Sequence, residues 1–207
     1  MTMESRVLRL QADQHEQAGH VLARAFFDDP MMVYILPDDA RRRALLPSFL
    51  RAGVTICHNH GEVYTTPGGV LGNACWLPPG STEVSEERLA EAGGLEVLDR
   101  MGEEAAGRFG GLMEHLAELH HNAVPADHWY LLLLGVDPPR QGQGIGGTLI
   151  DPILRRADAE GRPCYLETMK RINVTFYGKH GFEVVVEGEI PGTDLHYWTM
   201  RRDPRGG

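Results

Sequence analysis

Apolar and polar positions alternate along this chain between strand-like and helix-like spacing. Arg6 to Leu10 alternates with a period of two, as a short strand does. Asp13 then precedes Ala18, Val21, Leu22, Ala25 and Phe26, which trace one face of an amphipathic helix with an aspartate cap. Asp28-Asp29-Pro30 breaks that helix. A second is expected from about Asp39 towards Cys57, interrupted or kinked at Pro47. Glu62 to Thr66 and Val70 to Leu77 are strand-like runs joined through Pro67-Gly68-Gly69, a hairpin signature, and Pro78-Pro79-Gly80 ends the second.

Two helices are expected next, Ser85 to Arg100 and Glu103 to His121, weakened at Gly93-Gly94 and Gly110-Gly111. His128 to Val136 differs from everything before it. It is a nearly continuous apolar run, which predicts a central strand covered on both faces. After the turn Asp137-Pro138-Pro139-Arg140 comes a glycine-rich segment. Ile145, Leu149, Ile150, Ile153, Leu154 and Ala157 then follow a helix face, with Pro152 predicting a kink. Pro163 to Glu167 predicts a strand, Asn173 to Lys179 a short helix stopped at Gly181, and Phe182 to Val186 and Leu195 to Met200 two closing strands before a frayed tail at Asp203 to Gly207. Strands and helices mixed in this way predict one α/β or α+β domain over residues 1–207.

Composition narrows the function classes. The formal net charge of −9 disfavours nucleic acid as a partner, because affinity there rests on neutralising phosphates, and it suits a cationic substrate. Cys57, Cys75 and Cys164 are odd in number and far apart, so no disulfide framework and no zinc spacing is expected. No run approaches a membrane span and Met1 to Leu10 has no signal-peptide core, so the expectation is a reduced cytoplasmic protein without a membrane partner.

The segment Gln141-Gly142-Gln143-Gly144-Ile145-Gly146-Gly147-Thr148 carries the chemistry. It lies between a buried strand and a helix, where glycines let amides converge on an anion and the helix start adds partial positive charge. Gly142, Gly144 and Gly147 satisfy GxGxxG, yet only about sixty residues follow, too few for the rest of a dinucleotide-binding sheet. A P-loop would need a lysine before Thr148. The third pattern, Gln/Arg-x-x-Gly-x-Gly/Ala, is met by Gln141, Gly144 and Gly146. Further on, Leu166-Glu167-Thr168, Asn173-Val174-Thr175-Phe176-Tyr177 and Gly181-Phe182 form a second block in the matching order.

Together these motifs resemble the GNAT superfamily of N-acetyltransferases, specifically from about His128 to Phe182 and in element order elsewhere. Ala25-Phe26 and Asp28-Asp29-Pro30 are similar to the puromycin N-acetyltransferase-like branch, although Thr175 stands where that branch usually has proline. The resemblance implies a GNAT fold, a mixed sheet of six or seven strands with helices on both faces and the fourth and fifth strands splayed. It implies acetyl-CoA as cosubstrate, no metal, and transfer of the acetyl group to an amine by a monomer or homodimer.

It also implies roles. Backbone groups of Leu134 and Val136 would pair with the pantetheine arm, with the Val136 amide as oxyanion donor, typically worth about 3 kcal/mol. Gln141, Gly142, Gln143, Gly144, Ile145, Gly146, Gly147 and Thr148 would hold the pyrophosphate. Tyr177 occupies the general-acid position, and Asn173, one turn earlier on the same side, would bond the pantetheine or support Tyr177. Glu167 is the candidate base. Asp29, Tyr34 and Trp129 are the candidates for the acceptor pocket. His115, His120, His121 and His128 lack HExxH spacing and are expected to be solvated histidines at a helix end. A CoA-binding module without catalysis has no need of Tyr177, and a protein-acetylating enzyme would need an open groove.

Overall fold

A computed structural model describes residues 7–205. Its strands are β1 (Leu8–Arg9), β2 (Glu62–Thr65), β3 (Gly72–Leu77), β4 (Trp129–Val136), β5 (Cys164–Thr168), β6 (Glu183–Glu189) and β7 (His196–Arg202). They form one mixed sheet in the order β1-β2-β3-β4-β5-β7-β6. Every pairing is antiparallel except β4 with β5. The helices are α1 (His15–Ala25), α2 (Pro30–Ile35), α3 (Asp39–His60), α4 (Glu86–Glu91), α5 (Gly94–Met101), α6 (Glu103–Ala123), α7 (Ile145–Glu160) and α8 (Arg171–Lys179).

The apolar run of β4 is explained by cover on both faces. Trp129 and Leu131 pack with Ala74 and Trp76 of β3 against Leu149, Ile150, Ile153 and Leu154 of α7. Tyr130, Leu132 and Leu133 face the other way, towards a core built from Val21 and Leu22 of α1, Leu46, Leu50 and Val54 of α3, and Cys75 and Leu77 of β3. The three cysteines are buried and free. Arg202 of β7, itself buried, grips Asp158 of α7 through two bonds of 2.7 Å and ties the last strand to the sheet's α7 face.

The chain departs from the sequence expectations at several places. The first turn of α1 is preceded by a 3-10 turn at Ala12–Gln14, and the Gln14 side chain, not Asp13, accepts the Gln11 amide at 3.0 Å. Helix α3 runs unbroken through Pro47 and α7 through Pro152. In each case neighbours on both sides are buried, Leu46 and Leu50 in one and Ile150 and Ile153 in the other, so packing holds the helix on course past the missing N–H. Gly93, at φ +72°, divides the expected Ser85–Arg100 helix into α4 and α5, whereas Gly110-Gly111 leaves α6 intact. Helix α2 went unforeseen. Arg6 lies outside the described residues, as do Gly206 and Gly207 of the expected tail, while the Arg205 amide is bonded to Asp158 at 2.8 Å.

Helices α1 and α3 meet at Gly19. A Cβ there would stand 2.6 Å from the Pro47 carbonyl oxygen and 2.8 Å from Arg51 Cβ. Alanine normally gains about 1 kcal/mol over glycine inside a helix. Here the added methyl would force two helices apart, and overpacking of that kind costs about 1–3 kcal/mol. Gly19→Ala should therefore lower the melting temperature, by several degrees in a scanning fluorimetry experiment; a rise would show that the interface yields freely.

Candidate active site

The parallel ladder between β4 and β5 has only two rungs, Trp129 opposite Cys164 and Tyr130 opposite Tyr165. Beyond them β4 continues with β3 and β5 with β7, so the two strands separate. The amide directions in the gap follow from two bonds. The Asp137 amide reaches the Leu71 carbonyl at 2.9 Å, so Gly135 turns its amide to β3 while Val136 and Leu134 turn theirs away, into the gap. At the closed end the Trp129 amide reaches the Pro163 carbonyl at 2.9 Å, so there the odd position faces β5. Parity changes at Leu132, since Leu133 pairs with Cys75 and Leu131 with Trp76, leaving Leu132 without a partner on β3. That bulge turns the amides of Leu134 and Val136 towards a place where no strand receives them.

Helix α7 begins where β4 ends. Its N-cap, Gly144, has φ +79° and no side chain to cap the helix, and the first turn holds no acidic residue. The first helix amides have no intrahelical acceptor. The side chains around them are turned to carbonyls instead: Gln141 Nε2 to Val136 O at 3.0 Å, and Thr148 Oγ1 to Gly144 O at 3.1 Å, with Gln143 Nε2 reaching Pro139 O at 3.5 Å. The Gln141 and Thr148 amides are taken by the Pro138 and Gly144 carbonyls at 3.3 and 3.1 Å, so the amides from Gly142 to Gly147 are the ones that could meet an anion, which fits a pyrophosphate. Gly142 and Gly144 have open space at the Cβ position, whereas Gly146 and Gly147 face Phe176 and His180. The last two glycines serve the close packing of α7 on α8, and Ile145 belongs to the core on that side.

Tyr177 is buried on α8, edge-on to Phe176 and Phe182. Burial, and then the charge of Asp29, push its phenol well above the ordinary range. Asp29 is buried too. It caps α2 by accepting the Met31 amide at 3.0 Å, and its other oxygen lies 3.7 Å from Lys170 Nζ beyond the end of β5. Burial raises its carboxyl despite that cation. Asn173 bonds the Thr168 hydroxyl at 2.9 Å, joining α8 to the end of β5. Asp29, Lys170 and Tyr177 therefore gather beside the open end of the splay.

Glu167 occupies the apex, one turn of the pleat past the last rung, on the face covered by α6. The Tyr130 hydroxyl donates to its Oε2 at 2.8 Å, and His120 Nδ1 stands 3.8 Å from Oε1. Burial pushes the carboxyl up to about 7, against the pull of the Tyr130 and Tyr165 hydroxyls, which favour the ionised form. The histidines here are not the solvated group expected from the sequence. His120 and His128 are turned inwards and bonded to each other, and the His115 ring lies edge-on to Tyr197 with its Nε2 buried and unpartnered among the described residues; His121 alone is exposed. No group of three His, Cys, Asp or Glu side chains among the described residues is arranged to hold a metal.

Trp129 does not join this site. It is buried at the closed end on the α7 face, where its indole N–H donates to Glu160 at 3.0 Å and Arg156 lies over the ring. Tyr34 lines a different space, a cleft of about 370 Å³ between α2, α6 and the β6–β7 turn, with Arg108, Glu114, His115 and Glu118 on the α6 wall. Sequence reading missed Lys170 and gave His120 and His128 no part in the site. Tyr130 and Tyr165, polar tips in two otherwise apolar strands, were the signal that a buried polar group lay between them.

Comparison with known proteins agrees with this geometry. Residues 97–184 match the family model of the acetyltransferase (GNAT) domain. An uncharacterised N-acetyltransferase of Schizosaccharomyces pombe is 28% identical over 182 residues, which are 84% of this chain and 72% of that protein. Among solved structures, a histone acetyltransferase HPA2 and related acetyltransferase from Corynebacterium glutamicum superposes with a TM-score of 0.68 at 21% identity, covering 98% of this chain and 97% of its own. Arylalkylamine N-acetyltransferase 2 of Aedes aegypti gives 0.62 at 16% identity over 97% and 99%. The segment that matches the acetyltransferase (GNAT) domain model holds the splayed strand, the glycine loop and α8.

Proposed function

We propose that this protein moves an acetyl group from acetyl-CoA directly to the primary amine of a small molecule, as a relative of the puromycin N-acetyltransferase-like branch. The observation that carries the reading is the splay, with two strand amides turned into it and an uncapped helix start at its mouth. Acetyl-CoA, when bound, supplies the activated acyl group. The amides of Leu134 and Val136 hold the pantetheine arm, and the Val136 amide is the donor offered to the oxyanion, fixed in place by the strand before reaction begins. The amides of Gly142 to Gly147 hold the pyrophosphate.

Glu167 is the base in this reading. A carboxylate that titrates near neutrality can accept the proton of an attacking amine and is mostly ionised above about pH 7. Tyr177 is a weaker acid than a free phenol, so its hydroxyl serves as a hydrogen-bond donor to the departing sulfur. Asn173 steadies the helix that carries it. Asp29 offers a buried carboxylate to an ammonium group in place of Lys170. A small amine is further supported by the neighbours of the same fold, since the Aedes aegypti protein is an arylalkylamine N-acetyltransferase and a Drosophila melanogaster one acts on polyamines to form N-acetylagmatine.

Calorimetry should show acetyl-CoA binding and no binding of NAD. Gly144→Asn keeps a residue that tolerates positive φ and should bind nearly as wild type, whereas Gly144→Asp adds a carboxylate beside the phosphates and should weaken binding by about tenfold or more. Equal affinity in both variants would put the phosphates elsewhere.

Tyr177→Phe keeps the ring and its contacts with Phe176 and Phe182. In thiol-release assays across a panel of amines, kcat should fall by roughly ten- to a thousand-fold with the acetyl-CoA Kd nearly unchanged. Full turnover would remove Tyr177 from the mechanism.

A further inference from the structure

The buried polar chain behind Glu167 has a direction that can be read from its bonds. His128 Nδ1 lies 2.6 Å from the Pro125 carbonyl oxygen, which can only accept, so Nδ1 carries the proton. Burial lowers His128's affinity for a second proton, which leaves its Nε2 bare as an acceptor. His120 Nε2 lies 2.6 Å from that nitrogen and must therefore be the donor. His120 is itself held neutral, its pKa brought down to about 3 by burial and then by His128 and His121. Its remaining nitrogen, Nδ1, is then bare, and it is this nitrogen that stands 3.8 Å from Glu167 Oε1.

The ring is fixed in that pose. His120 stacks on Tyr165 at 4.3 Å and 19°, lies against Tyr130 at 4.5 Å, and meets His128 edge-on. A bare nitrogen beside a carboxyl group favours the protonated acid, which can donate to it, and disfavours the carboxylate, which it repels. We propose that His120 is a positioning residue for Glu167: held by His128 and the Pro125 carbonyl in the tautomer with a bare Nδ1, it offers the carboxyl an acceptor and so helps Glu167 keep the proton taken from the amine until the product leaves.

The proton passes from the attacking nitrogen to a Glu167 oxygen, and a small turn of the carboxyl brings its O–H to His120 Nδ1. The other groups facing this carboxyl are Tyr130 of β4, bonded to Oε2, and Tyr165 of β5, whose buried hydroxyl has no partner in hydrogen-bonding geometry among the described residues. Behind them stand Tyr197 and Thr199 of β7 beside Tyr165, and Cys57 of α3 beside Tyr130. None of these is a cation, so the histidine's tautomer decides the sign of its influence.

The proposal rests on the reading of Glu167 as base, and the tests separate the two. On the wild-type protein above about pH 8, nitrogen-15 spectra of the imidazoles should show His120 bare at Nδ1 and protonated at Nε2, with His128 the reverse. Nδ1-protonated His120 would overturn the proposal without any mutation. In the protein without cosubstrate, Glu167 lies above its unfolded value, so its contribution to stability is present below about pH 4.5 and is lost as pH rises through about 7.

His120→Phe removes the acceptor, and His128→Phe frees His120 to present an N–H. Each should move that loss, and the acidic limb of kcat/KM, down by about half to one pH unit. His128→Gln, whose side-chain oxygen can accept from His120, should keep the wild-type limb. A limb that stays put or moves up in His120→Phe and His128→Phe overturns the proposal. Full turnover by Glu167→Gln would instead overturn the base reading, and with it the catalytic half of this inference.

Discussion

Everything at this site depends on a ladder that stops after two rungs. β4 and β5 begin as neighbours at Trp129–Cys164 and Tyr130–Tyr165, and then each is claimed by another strand, β4 by β3 and β5 by β7. The bulge at Leu132 reverses the parity of β4, so that amides which would have faced β3 face the gap. A backbone N–H without a partner is costly where water is excluded. The fold tolerates two of them side by side only at an opening where water or a ligand can reach. The same strand end places the start of α7 at the mouth of that opening, and Arg24 of α1 holds the turn between them through a paired contact with Asp137 at 2.7 and 3.1 Å.

The two faces of the splay divide the chemistry. On the α7 face, cores built around Trp76 and Trp129 fix the loop and α8, and with them the glycine amides and Tyr177. On the other face, His120 of α6 and the rings of Tyr130 on β4 and Tyr165 on β5 enclose Glu167. Enclosure raises the carboxyl to about 7. An ionised Glu167 therefore strains the folded protein above neutral pH, and that strain is the physical counterpart of a proton acceptor tuned to work there.

Much of this was legible in the sequence, and what was not has particular causes. The apolar run of β4, the hairpin at Pro67-Gly68-Gly69 and the order of loop, strand and short helix follow from spacing and turn chemistry, which are local. Pro47 and Pro152 misled because a helix is broken by local cost but held by burial of Leu50 and Ile153, which no window of sequence displays. Trp129 misled because its position at the start of β4 says nothing about which side of the sheet it faces, and the parity change at Leu132 lies three residues further on. The histidines misled most. His120 lies in the last turn of α6, where solvent is the ordinary surrounding, and only the return of β4 and β5 beneath it turns the ring inwards.

Amide hydrogen exchange along β4 reports on the splay itself. In the free protein Leu134 and Val136 should exchange faster than Gly135, whose amide is turned to β3. Addition of acetyl-CoA should slow Leu134 and Val136 by about tenfold or more and leave Gly135 nearly unchanged. Protection of Leu134 and Val136 before any ligand is added, or no change when acetyl-CoA binds, would contradict the account of the splay as the place that receives the cosubstrate.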